Sequence, residues 1–214
     1  MPFIIMKKTF VLVVLFVLPI VVYLFFASGV NNFGKLAELT KNVTELNLSS
    51  DIKFKNKITV LGFLGSNVET RKGNAFNLNQ KIYKRFSEFT DFQFVMVVPI
   101  GTEEEIKEIK KELSSLSEVD KWYFVFLTPA DINALFTSLN TDIQLDENQG
   151  TSYVFIIDKD LSLRGRTDDE DEGTKYGFNS NSVADLNNKM IDDVKIVLAE
   201  YRLALKKNNA DRSK

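Results

Sequence analysis

The chain is 214 residues long, 44% hydrophobic and 26% charged, with 27 basic and 29 acidic residues mixed along it for a net charge of −2. That balance excludes the clustered positive charge of a nucleic-acid surface. There is no cysteine and no histidine, which removes disulfides, thiol catalysis, thiolate metal sites, the commonest transition-metal ligand and the usual neutral-pH general base.

Phe10–Ala27, FVLVVLFVLPIVVYLFFA, carries no charge and with its margins is about long enough to cross a hydrocarbon core of about 30 Å. Residues 1–30 are therefore read as a transmembrane anchor, touching the bilayer through residues 10–27. Lys7 and Lys8 precede it, so the positive-inside bias keeps the N-terminus cytoplasmic and exports the rest. A cleaved signal peptide is the alternative, but the small-residue site near Ala27 and Ser28 has Phe25 where a small residue is wanted. The expected location is the cell inner membrane, single-pass, with the domain in the periplasm or an equivalent exported space.

Residues 31–56 read as a polar juxtamembrane linker, with a helical turn at Leu36–Leu39 and a strand at Asn47–Ile52. The domain is expected over 57–205. Ile58–Leu64 is a continuous apolar run, the pattern of a strand buried on both faces. It breaks into a polar turn, Gly65–Gly73, before an amphipathic helix over Phe76–Phe89. Asp91–Pro99 reads as a second buried strand. Glu103–Leu116 is an amphipathic helix, with Thr102 expected to cap it by accepting from the N–H of Glu104 or Glu105.

Lys121–Leu127, KWYFVFL, is a third apolar strand, its Trp122 read as core. Pro129–Leu139 is a helix started by Thr128 and Asp131. Thr151–Asp158 and Leu161–Thr167 form an antiparallel hairpin about Lys159 and Asp160. Asp168–Gly173, DDEDEG, reads as a solvated acidic loop, since it lacks the ligand spacing of a calcium loop. Lys175–Asn181 reads as irregular. Val183–Leu205 is the closing helix, capped by Ser182 or Asn181, and 206–214 is a polar tail.

Alternating helices and continuous apolar strands imply a mostly parallel sheet between helical layers. The closing hairpin and last helix narrow this to an α/β, thioredoxin-like three-layer sandwich, a mixed sheet with a C-terminal antiparallel hairpin. Ile156–Arg166, IIDKDLSLRGR, then the acidic turn, then Met190–Leu198, MIDDVKIVL, resemble the SCO/SenC branch of the thioredoxin superfamily. A plain thioredoxin or peroxiredoxin relative is the competing assignment.

That branch is associated with copper delivery to cytochrome oxidase and with thiol–disulfide exchange. It uses a Cys-x-x-x-Cys pair after the first strand and a distant histidine before the hairpin. The resemblance places the pair at Ser66 and Thr70, with a register at Val68–Lys72 also open, and the histidine near Gly150 and Thr151. Hydroxyls are hard neutral donors that neither hold Cu(I) nor form disulfides. The expectation is a chain with no cofactor, no metal and no catalytic residues.

Asn67 and Arg71, with Ser66 and Thr70, are candidates for anion or partner contact at the start of the helix. Arg164 and Arg166 are candidates for pairing with the acidic loop or with a partner. The function expected is a non-catalytic binding or assembly module beside a membrane protein complex, with cytochrome oxidase or another respiratory complex suggested by family analogy alone. The alternatives are an accessory structural subunit and an enzyme of non-thiol chemistry using the 65–73 turn.

Overall fold

The computed structural model describes residues 2–28, 34–46 and 52–212, with side chains at 10–24, 34–46 and 52–204. The chain divides into two compact units, Met1–Gly34 and Lys35–Lys214. The first is a helix, α1 (Pro2–Ser28), with Pro19 inside it. Its described side chains, at 10–24, are exposed on every side. Among the described residues no helix is long and apolar enough to cross a membrane. The span expected at Phe10–Ala27 runs beyond the described side chains.

The second unit is built on one sheet. Its strands are β1 (Ala37–Thr40), β2 (Ile58–Leu64), β3 (Phe92–Pro99), β4 (Trp122–Leu127), β5 (Gly150–Ile157) and β6 (Leu163–Asp169), in the order β1-β6-β5-β2-β3-β4. Two short strands join at the side: β7 (Gly173–Lys175) on β6 and β8 (Phe178–Asn179) on β5. β2, β3 and β4 are parallel, and β5 runs antiparallel to β2 and β6. These strand directions, the βαβ crossovers and the closing hairpin and helix make the fold thioredoxin-like.

β2 and β3 are buried at every position, as their unbroken apolar runs require when both faces are covered. Alternation divides their side chains between two cores. Ile58, Val60, Phe94, Met96 and Val98 point to one side, toward α2 (Lys72–Leu78), α3 (Lys84–Phe86), α4 (Glu103–Leu116) and α7 (Ile191–Arg212). Leu61, Phe63, Val95 and Val97 point to the other, toward α5 (Pro129–Ser138) and the 43–54 segment. Trp122 is core, stacked on Phe94 with ring centroids 4.7 Å apart. A π-helical turn, Asn79–Tyr83, joins α2 to α3, and a second, Leu186–Met190, joins α6 (Val183–Asp185) to α7.

Several local expectations change. Leu36–Leu39 is not a helical turn: Ala37–Thr40 pairs antiparallel with β6, because the hairpin offers it an open edge. Val43, Leu46 and Phe54, within the stretch read as linker, are buried. The Glu45 carboxylate accepts from the N–H groups of Leu46, Phe54 and Lys55 and pins that segment. The strand expected at Asn47–Ile52 lies outside the described residues except for Ile52.

Thr102 does not cap α4, because its hydroxyl donates instead to the Pro99 carbonyl at 2.8 Å. Thr128 and Ser182 do cap their helices, accepting from Asp131 and Asp185. Asp168–Gly173 is exposed, as read, except for Asp169, which is buried. It is the turn between β6 and β7, with Asp169 accepting from the N–H groups of Asp171 and Glu172. Lys175–Asn181 contains β8.

Candidate functional site

The turn after β2 packs against the loop before β5. Gly65 sits at φ +74°, and a Cβ there would lie 2.6 Å from the Asn148 carbonyl, so only glycine fits. The Ser66 N–H donates to that same carbonyl at 2.8 Å. Val68 is buried and roots the turn in the core. The turn ends in a 3-10 segment, Val68–Arg71, that leads into α2.

Arg71 is the centre of the site. Its Nη1 donates to the Leu64 carbonyl at 3.1 Å and its Nη2 to Asp146 Oδ2 at 2.6 Å. The other oxygen of Asp146 accepts from the N–H groups of Asn148 (3.0 Å) and Gly150 (2.9 Å). Burial raises the Asp146 pKa, but the Gly150 N–H and the Arg71 guanidinium outweigh it and hold the carboxyl below its ordinary value. Asp146 thus ties the 146–150 turn and clamps it to Arg71.

Gly150 makes the clamp possible. A Cβ on it would lie 2.4 Å from Arg71 Nη1 and 2.8 Å from the Leu64 carbonyl. The guanidinium therefore rests on bare backbone. An ion pair thus fills this junction of turn and strand.

The remaining predicted positions are occupied locally. The Ser66 hydroxyl donates to Asn148 Oδ1 at 3.3 Å, and the Thr70 hydroxyl to the Asn67 carbonyl at 2.8 Å. Thr151 accepts from the Tyr153 N–H at 3.3 Å. Ser66, Asn67, Thr70, Arg71 and Gly150 come together in one junction, and neither hydroxyl has a base as hydrogen-bond partner. Arg71 has two of its N–H groups committed, so its charge is matched by Asp146 and not offered outward.

Arg164 and Arg166 lie on β6. Arg164 is 2% exposed. It donates to Asp158 at 3.1 Å, to both oxygens of Glu200 at 2.8 and 2.9 Å, and to the Leu36 carbonyl. Arg166 grips Asp193 with two bonds of 2.8 Å. Of the acidic loop, Asp169 stands 3.7 Å from Arg166 and 2.7 Å from Lys189. Both arginines therefore bind the hairpin to α7. Among the described residues no group of three carboxylates is arranged to hold a metal ion.

Asp146 and Asn148 are site residues that pattern reading passed over. Their signal was the DENQG run at 146–150 just before a strand, a sequence suited to an Asx turn.

No protein-family model and no curated protein matches the sequence. Solved structures do. The thioredoxin domain of a thiol-disulfide oxidoreductase from Bacteroides vulgatus is 18% identical, over 75% of this chain and 99% of its own, with a TM-score of 0.43. The soluble domain of Sco1 from Bacillus subtilis is 15% identical, over 73% of this chain and 91% of its own, with a TM-score of 0.45. ScoI of Bradyrhizobium japonicum with copper bound is 15% identical, over 63% and 86%, with a TM-score of 0.34. The fold stands on the strand order and directions given above.

Proposed function

We propose that this chain is a membrane-anchored, exported, SCO/SenC-like member of the thioredoxin superfamily that has lost redox and copper chemistry. It acts as a non-catalytic binding or assembly module beside a membrane protein complex, with a respiratory oxidase as the class that the resemblance suggests. One observation carries the reading: Arg71 and Asp146, closed over Gly150, occupy the junction where such a protein would keep its soft ligands. With no cysteine or histidine anywhere in the chain, no Cu(I) thiolate site or exchangeable disulfide can assemble. The exposed apolar side chains described at 10–24 of α1 favour the anchor.

An enzyme of non-thiol chemistry at the 65–73 turn is the second reading. It needs a cavity there and a carboxyl raised toward neutrality. Cavities of about 300 Å³ beside Tyr153 and Lys189 and about 170 Å³ beside Leu46 and Leu127 lie away from the turn. Asp146 is moreover shifted the opposite way. That shift favours the non-catalytic reading.

The test uses the full chain in mild detergent, titrated with Cu(I) against a chelator of known affinity. No stoichiometric binding is expected, and one tightly bound copper per chain would overturn the proposal. In membranes, α1 should keep the chain in the pellet through alkaline carbonate extraction, and release into the supernatant would overturn the anchor. Mild-detergent pull-down with mass spectrometry should recover the subunits of one membrane complex in stoichiometric amount. Recovery of the chain alone would overturn the assembly role.

A further inference from the structure

We draw no further inference here: the strongest candidate, the cavity of about 300 Å³ between the β6–β7 turn and α6, is walled by the carboxylates of Asp171, Glu172 and Asp185, which Lys175 and Lys189 already pair, and nothing in the structure shows what ligand it takes.

Discussion

At the scale of single residues, Gly150 decides the character of the site. A Cβ there would strike the Leu64 carbonyl as well as the Arg71 guanidinium, and the backbone cannot yield as a side-chain tip can. Gly150→Ala should therefore destabilise the fold by about 1–3 kcal/mol, read by urea unfolding. Asp146→Asn keeps the size but loses the charge that matches Arg71, whose side chain is 12% exposed. With the Asp146 carboxylate 40% exposed and partly screened by solvent, a loss of about 0.5–1 kcal/mol at pH 7 is expected.

That loss depends on pH with a definite sign. The Asp146 carboxyl is shifted down in the folded state. Its contribution is thus complete above the ordinary carboxylate pKa and disappears as pH falls through the lower folded value. Unfolding curves of the native chain and of Asp146→Asn should converge below about pH 4, and a gap unchanged at pH 3 would refute the clamp. In the sequence Arg71 was visible as a cation in the turn. Asp146, 75 residues further on, was not connected to it, because a salt bridge across that separation has no local periodicity.

At the scale of elements, long-range pairing overrides local preference. Leu36–Leu39 reads as a helical turn in isolation, yet Ala37–Thr40 is a strand because β6 offers unpaired groups. Thr102 has the sequence of a cap, yet its hydroxyl finds the Pro99 carbonyl first. Arg164 shows what holds the elements together. It reaches β1 through Leu36, the hairpin turn through Asp158 and α7 through Glu200. Arg164→Ala would leave the nearly buried Asp158 carboxylate, 3% exposed, without its counter-ion. A cost of about 3–5 kcal/mol is expected, with earliest loss of amide protection in β1. Equal protection in the variant would mean that β1 is held by its ladder alone.

At the scale of the whole molecule, the folded unit is larger than the apolar periodicity suggested. It runs from Lys35, and Val43, Leu46 and Phe54 complete the core on the α5 side of the sheet. Burial of each such side chain stabilises by about 1.5–3 kcal/mol. A fragment beginning at residue 57 should therefore lose about 5 kcal/mol or more against one beginning at residue 35. Equal denaturation midpoints for the two would show the 35–56 segment to be a linker after all. The acidic turn at 168–173 is solvated as read, except for Asp169, which is buried and meets Lys189 at 2.7 Å.

The sequence by itself determined the α/β class, the central strands, most of the helices and the absence of thiol or imidazole chemistry. These follow from local periodicity and from composition, which need no knowledge of what packs where. Only the tertiary structure decided that Arg71 and Asp146 meet over a bare glycine, that β1 and the 43–54 segment belong to the domain, and that β4 is left as the open edge. Each of these joins residues far apart in the chain. Their pairing is set by strand order and by which backbone groups remain unsatisfied once the sheet is complete.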